Sequence, residues 1–507
     1  MIISTNIKMI IKRSKPKSLA INLLRITIAS LCLTSCSNIK IDSNPESPSQ
    51  TSKETITAIN STITLANVTH DVSYLASDEL KGRDNFSHEI HTAANFIAKR
   101  FKEVGLTPAQ NTQNFKQQYS IQRITPNTLN VEINGKTIDS NALLMATTVI
   151  DFNWNSHSQA HLRQDNSKQN APINNLTVNT RLIGEKDNMR KVLRELNNQG
   201  GQHLVLLHPK HEKSFKRYQS YLADGLTSLV NEAKNKLGGI IVIALTDIST
   251  INQFSVKGYA TVTHTKLSNV VGILPGKSKA NEIVLYSAHY DHLGVKPSTQ
   301  SESKYKTDKG SHIFNGADDD ASGVSAIISL ADHFTKTGNN ERTLMFSAFS
   351  AEEIGGFGSR YFSNQIDPNT ITAMINIEMI GKPSIFGDGN IWMTGMDRSN
   401  LGEQLNQALA PQHLKMYADP YPKQNLFYRS DNATLARLGV PAHSFSSVQL
   451  DKDQHYHQVT DDVKSLHLPS MLQAIKVLAI ATTPLVNGAV APSRIDPNKI
   501  KRKGLIY

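Results

Sequence analysis

The chain has 507 residues, of which 39% are hydrophobic and 19% are charged, a composition typical of soluble globular proteins. A chain of this length is too long to fold around one ordinary hydrophobic core, so two folded units with tails are predicted. The formal net charge is +11, but six positive charges lie in the first 35 residues, which contain no Asp or Glu. The remaining +5 (11 − 6) is too small to indicate nucleic-acid binding.

Residues 1–35 have the layout of a secretory signal peptide. A basic start precedes a short apolar stretch over residues 19–33, which Arg25 interrupts, and this stretch is too short for a good membrane-spanning helix. The tetrapeptide LTSC follows at residues 33–36 and resembles the lipobox of bacterial lipoproteins. The resemblance implies that Cys36 is lipidated and anchors an exported protein. Ser37 then favours the outer membrane, with the protein facing the periplasm or the cell surface.

The only cysteines are Cys32, inside the leader, and Cys36, so no disulfide is expected in the mature body. Residues 36–62 are rich in Ser, Thr, Asn and Pro, which predicts a flexible tether. The first part of the main domain is predicted over residues 63–130. It contains an amphipathic helix that buries Ile90, Ala94, Ile97, Ala98 and Phe101 and ends at Gly105.

Residues 131–265 differ in character from the segments on either side. They are polar at first and then read as a strand at HLVLLH (residues 203–208), a long helical segment through Lys236 and a strand at GIIVIAL (residues 239–245). This order predicts an inserted, smaller α/β domain.

From residue 266 to about 490, short apolar runs alternate with helical patterns. The pattern predicts an α/β fold with a mixed, mostly parallel central sheet covered by helices. Residues 491–507 read as a basic tail with no role beyond solubility.

The segment NGADDDASG, residues 315–323, places three aspartates side by side. A helix follows, because Val324, Ile327, Ile328, Ala331 and Phe334 recur at helical spacing and Gly338 can end it. One or two carboxylates suit the start of a helix, but a third repels its neighbours unless a cation compensates.

Ionisable residues follow three of the predicted strands. Their positions are His289, Tyr290 and Asp291 after EIVLYSA, Glu352 and Glu353 after RTLMFSAFSA, and Glu378 after ITAMINI. Because ligands bind at the carboxyl edge of open α/β sheets, these groups are expected to converge there. Carboxylates and imidazoles without cysteine suit zinc or a similar divalent ion.

Five blocks of the chain resemble the di-zinc exopeptidase family, which includes secreted bacterial leucine aminopeptidases, glutamate carboxypeptidase and, more distantly, glutaminyl cyclase. They are SAHYDHLG, NGADDDASG, SAEEIGGFGS, INIEMIGK and YHQVTDD. The upstream LASDELKGRDNFS, residues 75–87, also resembles that family. Residues 131–265 occupy the place of the family's protease-associated domain.

The resemblance implies two zinc ions, with other divalent metals as an alternative. It implies His289 and Glu378 on one ion, Glu353 and His457 on the other, and Asp319 as the bridge. It further implies that Asp291 hydrogen-bonds the far nitrogen of His289 and that Glu352 is the general base. Asp461 is interpreted as support for the ligands.

The chain departs from the family pattern at two positions. Glu378 stands where many of the aminopeptidases have Asp, and Asn432 stands where His is common. His292, His443 and His455 match no ligand position and are interpreted as surface or supporting residues.

The favoured function is an aminopeptidase that acts on peptides. A carboxypeptidase, in which Arg429 grips the substrate carboxylate, and a glutaminyl cyclase-like acyltransferase are the alternatives, and a silent binding protein is a third. Oligomeric state, side-chain preference and physiological substrate stay open.

Overall fold

The structure, a computed structural model, describes residues 48–156, 158–163, 177–230, 239–296 and 312–501. The predicted signal peptide and Cys36 lie outside the described residues. The helices are α1 Pro48–Thr62, α2 Leu65–Leu75, α3 Glu89–Glu103, α4 Met189–Gln199, α5 Glu212–Leu222, α6 Gly323–Thr337, α7 Phe357–Ser363, α8 Leu401–Leu409, α9 Asn432–Ala436 and α10 Leu468–Val486.

The first eleven strands are β1 Thr107–Pro108, β2 Lys116–Ile133, β3 Lys136–Thr137, β4 Leu143–Thr147, β5 Asp151–Asn155, β6 Ser158–Arg163, β7 Val178–Ile183, β8 Gly201–Leu207, β9 Leu226–Leu229, β10 Gly239–Leu245 and β11 Phe254–Leu274. The others are β12 Lys279–His289, β13 Gly294–Val295, β14 Ile313–Phe314, β15 Arg342–Phe349, β16 Ile371–Ile377, β17 Ile391–Met393, β18 Met416–Ala418 and β19 Ala442–Ser446.

The main sheet has the order β18-β17-β19-β16-β12-β15-β11-β2-β3. Its centre is parallel, because β15, β12, β16 and β19 run in one direction, and β17 and β11 join it antiparallel on either side. Strand β15 is buried at every residue, as expected for a strand covered on both faces. The structure therefore has the mixed, helix-covered sheet that the sequence predicts, with antiparallel flanks.

Helix α6 begins after the aspartate triplet and ends at Gly338 in the left-handed conformation, as predicted. It buries all five of the predicted apolar residues in the main core. Helix α10 is 19 residues long and apolar enough to cross a membrane, but it packs in the same core through Met471, Ile475 and Leu478. Its apolar composition therefore matches its burial in this fold.

The tether predicted over residues 36–62 extends too far. Residues 48–62 form α1, and Ile59 and Ile63 are buried in the main core beside residues of α6 and α10. Two apolar side chains four positions apart, Ile59 in the helix and Ile63 just after it, dock a mostly polar segment.

The insert boundaries predicted at residues 131 and 265 fall inside β2 and β11. These strands pair from Lys116↔Val270 to Ile133↔Phe254, and β11 continues into its pairing with β15. An antiparallel ribbon therefore joins the main sheet to the insert without a linker. The insert itself contains the four-stranded sheet β4-β10-β8-β7, with α4 and α5 packed in one cluster on one face. The predicted long helix ends at Leu222, and β9 follows it.

Part of the predicted basic tail is packed against the rest of the fold. Ile495 and Ile500 are buried, and Arg494 Nη1 donates to the carbonyl of Ile371 at 2.8 Å. Burial of these two isoleucines removes apolar surface from water, and this stabilises the packed segment although its composition is basic. Residues 502–507 lie outside the described part of the chain.

Candidate metal centre

The ionisable residues converge at the carboxyl edge of the parallel strands. His289 is the last residue of β12, Glu378 follows β16, and Glu352 follows β15 by three positions. Because these strands are parallel neighbours, their ends lie at the same edge of the sheet. The positions predicted from the sequence therefore face one crevice.

Asp319 lies between two histidines. His289 Nε2 is 3.0 Å from Asp319 Oδ1, and His457 Nε2 is 3.2 Å from Asp319 Oδ2. Each carboxylate oxygen thus faces a different imidazole, which is the arrangement that a carboxylate bridging two ions requires. His289 and Asp319 are buried, whereas the side chain of His457 is 35% exposed.

Positive charge is strongly favoured at this point. Burial lowers the pKa of His457, but its hydrogen bonds to Asp319 and Glu353 outweigh burial and raise the pKa to about 10. Burial alone would lower the pKa of His289. Its hydrogen bond to Asp319 and the charge of Glu352 outweigh burial and hold this pKa well above its usual range. The carboxylates therefore stabilise cations here, and His and carboxylate donors without Cys fit zinc.

Glu353 joins the same group. Its Oε2 lies 3.4 Å from His457 Nε2, and its Oε1 lies 2.8 Å from Nδ1 of His292. One donor atom each from His292, Asp319 and Glu353 fits within 4.8 Å. The sequence alone indicates a surface or supporting role for His292. The structure excludes the surface position, because the ring is buried beside the predicted ligands.

Glu352 and Glu378 line the crevice beside Asp319. Burial raises the pKa of Glu378 to about 7, with His289 opposing the change. Burial also raises the pKa of Glu352 well above its usual range, and the neighbouring charge of Glu378 adds to this. A glutamate whose pKa is raised by its surroundings suits general acid–base catalysis.

Asp291 meets the far nitrogen of His289, as the resemblance implies, but it does so through its main-chain oxygen. His289 Nδ1 lies 3.1 Å from the main-chain oxygen of Asp291 and 3.8 Å from its carboxylate. The carboxylate instead accepts the main-chain N–H groups of Glu352 at 3.1 Å and Glu353 at 3.2 Å, and Asn85 Nδ2 at 2.7 Å. Asp291 therefore fixes the two glutamates, because three donors outcompete one imidazole for its two oxygens.

The three adjacent aspartates have separate roles. Asp320 Oδ1 accepts the N–H of Gly323 at the start of α6, and its Oδ2 accepts the N–H of His289. Asp318 Oδ1 accepts the N–H of Gly381 at 2.7 Å. The flanking pair therefore joins the helix start to the neighbouring chain segments, and Asp319 alone faces the histidines.

Asp461 supports the bridge, as predicted. Its carboxylate accepts the main-chain N–H of Asp318 and, at 3.1 Å, that of Asp319. Lys382 lies among three carboxylates, with Nζ at 3.0 Å from Asp453 Oδ2, 3.3 Å from Asp318 Oδ2 and 3.7 Å from Asp461 Oδ1. Lys382 therefore ties the loop that carries His457 to the aspartate triplet.

Two cations of this network were missed from the sequence. Besides Lys382, the guanidinium of Arg83 is fully buried and donates to the carbonyls of Tyr290, Asn315 and Gly316. Both residues lie within blocks that resemble the family, LASDELKGRDNFS and INIEMIGK. The signal available in the sequence was a basic residue in a block that also contains carboxylates.

An apolar pocket opens beside the carboxylates. Its apolar lining consists of Met379, Trp392, Leu426, Val448 and Leu450. Tyr456 stacks on His457 with ring centroids 4.0 Å apart, and its hydroxyl accepts a hydrogen bond from Arg429 at 3.2 Å. Both residues line the same pocket.

The other residues singled out in the sequence lie away from this pocket lining. Asn432 is buried and donates to the carbonyls of Phe427 and Ala442. His443 is held between Thr394 O and Ser399 Oγ, and His455 Nδ1 lies 3.0 Å from Thr460 O. These side chains serve the local structure.

Residues 269–482 match the sequence family described as Peptidase family M28. Residues 269–482, called the M28 segment below, are similar to this family over less than half of the chain. The M28 segment contains all seven predicted site residues but neither Arg83 nor Asn85, which precede it. Residues outside the M28 segment therefore complete the hydrogen bonding of the centre.

Relatives of the M28 segment include, by their names, a leucine aminopeptidase and a vacuolar membrane protease. Leucine aminopeptidase 1 of Chaetomium globosum is 28% identical over 217 residues, which cover 41% of this chain and 50% of the relative. The vacuolar membrane protease of Schizosaccharomyces pombe is 27% identical over 188 residues, 36% of this chain and 20% of the relative. The chain thus spans half or less of the length of these curated relatives.

Among solved structures, the aminopeptidase from Aneurinibacillus sp. strain AM-1 is similar with a TM-score of 0.49 and 17% identity. The match covers 88% of this chain and 98% of that one.

Proposed function

We propose that this protein is a zinc-dependent aminopeptidase with a two-ion centre. The observation that carries the proposal is Asp319, whose two oxygens face His289 at 3.0 Å and His457 at 3.2 Å beside an open apolar pocket. The M28 match and the aminopeptidase names of relatives support the same activity.

The described residues supply ligands for both ions. His289 and Glu378 would hold one, Glu353 and His457 the other, and Asp319 would bridge them. When bound, zinc supplies Lewis-acid polarisation of the substrate carbonyl and lowers the pKa of water.

The chain's own groups orient the reactants and move the proton. Glu352 lines the pocket and is held through its main-chain N–H by Asp291. It accepts a proton from the attacking water and returns it to the leaving amine. Burial raises the pKa of Tyr456, so its hydroxyl stays protonated and can donate into the pocket.

The lining of the pocket favours an apolar N-terminal side chain. Trp392, Met379 and Val448 present apolar surface, and burying a side chain such as Leu against them is favourable by about 2 kcal/mol. Leucyl and methionyl p-nitroanilides are therefore expected to be cleaved faster than aspartyl or lysyl ones.

A carboxypeptidase is the second candidate, because the exposed Arg429 lines the pocket. Matched peptides separate the two activities. The aminopeptidase proposal predicts cleavage of a C-amidated peptide and no cleavage of its N-acetylated counterpart, and the reverse result would establish the carboxypeptidase. A glutaminyl cyclase-like enzyme would instead cyclise N-terminal Gln with about one zinc per chain, since such enzymes typically use one metal.

We also propose that the protein is exported and anchored through a lipid on Cys36, facing the periplasm or the cell surface. The basic start, the apolar stretch and LTSC support this proposal. Labelling with a fatty-acid analogue tests it. Cys36→Ser should abolish labelling and Cys32→Ser should not, because Cys32 lies in the cleaved leader; equal labelling of both variants would contradict the anchor.

A further inference from the structure

His292 is a buried histidine beside the residues of the proposed metal centre. Its side chain has no exposed surface, and neither ring nitrogen is hydrogen-bonded within the part of the chain that the structure describes. Nδ1 lies 2.8 Å from Glu353 Oε1, an ion-pair distance at an angle poor for a hydrogen bond, and Oε1 has no other hydrogen-bond partner there. Two facing polar atoms that are both unsatisfied are costly unless a third group lies between them.

The ring is fixed in this place by its packing. The main-chain N–H of His292 donates to the carbonyl of Arg83 at 3.3 Å. A Cβ added at Gly316, which has φ 59°, would lie 2.6 Å from Cγ of the ring, so only glycine allows this approach. His292 therefore cannot relax away from Glu353 without moving the segment that carries the aspartate triplet.

Asp319 and His457 also place donor atoms near His292 and Glu353. Asp319 Oδ2 lies 3.9 Å from His292 Nδ1 and 3.2 Å from His457 Nε2. The rings of His292 and His457 meet edge to face, with centroids 5.8 Å apart. Two imidazoles and two carboxylates thus lie close together, a donor set that suits zinc.

We propose that His292 is a fourth protein ligand, through Nδ1, of the ion held by Glu353, His457 and Asp319. This inference rests on the proposed two-ion centre, and it gives the two ions different numbers of protein ligands. The Glu353 side is filled by four protein donors, whereas His289, Glu378 and Asp319 provide three on the other side. A filled site retains its ion, and a site with three protein ligands keeps a position open for substrate or water.

Stepwise removal of zinc tests the inference. Zinc-loaded protein is dialysed against increasing chelator, and bound zinc is measured by mass spectrometry. Two separate steps of release are expected for the unchanged chain. His292→Gln should shift the tighter step by at least about 10-fold in chelator concentration. The control His455→Gln should leave it in place, because His455 is hydrogen-bonded to Thr460. An unchanged tight step in folded His292→Gln protein would overturn the inference.

Histidine-labelled ¹⁵N spectra of the unchanged chain give a second test that needs no variant. His289 and His457 face Asp319 through Nε2, whereas His292 faces Glu353 through Nδ1. One zinc equivalent should therefore produce a signal from a metal-bound Nδ1, and spectra with only Nε2-bound signals would overturn the proposal. Peptide hydrolysis is measured separately, so an inactive protein with the two-step release would refute the aminopeptidase proposal and leave the assignment of His292 standing.

Discussion

The carboxylate of Asp461 accepts the main-chain N–H of Asp319 at 3.1 Å, from a loop 142 residues further along the chain. Asp461 also accepts the N–H of Asp318, so it fixes the peptide that presents the bridging carboxylate. The loop carries His457 as well, four residues earlier. One hydrogen-bonded contact therefore sets the position of two proposed ligands relative to each other.

Replacing Asp461 should weaken zinc binding. Asp461→Asn turns one acceptor oxygen into an NH₂ donor that faces main-chain N–H groups, and zinc affinity should fall about 10- to 100-fold in a chelator competition. Asp462→Asn is the matched control, because Asn retains the capping of the next turn that Asp462 provides. Equal affinities of the two variants would show that Asp461 does not position the bridge.

Lys382 should contribute to the stability of the metal-free protein. Its ammonium lies within 4 Å of Asp318, Asp453 and Asp461, all buried, and its side chain is 14% exposed. Lys382→Met leaves these charges uncompensated and should lower the free energy of unfolding by about 3 kcal/mol in urea titrations. Lys464→Met, at an exposed position of the same loop region, should change it by less than about 0.5 kcal/mol. A similar effect of both substitutions would refute the network.

Glu352 should be required for turnover and not for metal retention. Glu352→Gln removes the proton acceptor while preserving the size of the side chain, and kcat on leucyl-p-nitroanilide should fall about 10²- to 10⁴-fold. Zinc content should stay unchanged, and Glu403→Gln on the exposed face of α8 serves as the control. Retained activity with zinc bound would assign the proton transfer to another group.

His333 should make the stability of the protein sensitive to acid. Burial lowers its pKa to about 4 from the ordinary 6.5, and its Nδ1 lies 2.7 Å from Thr62 Oγ1 of α1. Between these values the unfolded chain binds a proton that the folded chain does not, so this stability is complete above pH 6.5 and falls as the pH drops towards 4.

At pH 5 the loss from His333 should be about 2 kcal/mol relative to pH 7. Urea titrations of metal-free protein at both pH values measure it, and His333→Gln should show a correspondingly smaller decrease between them. An identical pH dependence of the variant and the unchanged chain would contradict this account.

The sequence predicted the elements whose side chains repeat regularly. The parallel strands have continuous apolar runs, and their ends place His289 and Glu378 by strand geometry alone. Helix α6 was predicted from its apolar spacing and its terminal Gly338. The resemblance then indicated which of the three aspartates faces the histidines.

The features that were missed lie where no periodicity orients the side chain. Asp291 and His292 follow the end of β12, and the letters HYDH do not state whether a carboxylate or a main-chain oxygen meets His289 Nδ1. The partner of Asp291 is a segment about 60 residues away, and that of Arg83 is more than 200 residues away. Such long-range contacts between loops depend on the whole fold.

The measurement that tests the two-ion aminopeptidase most directly combines metal analysis with activity. The purified protein should contain about two zinc ions per chain, lose hydrolysis of leucyl-p-nitroanilide when chelator removes them, and recover it when zinc is restored. Hydrolysis that continues at the same rate after complete removal of metal would contradict the account.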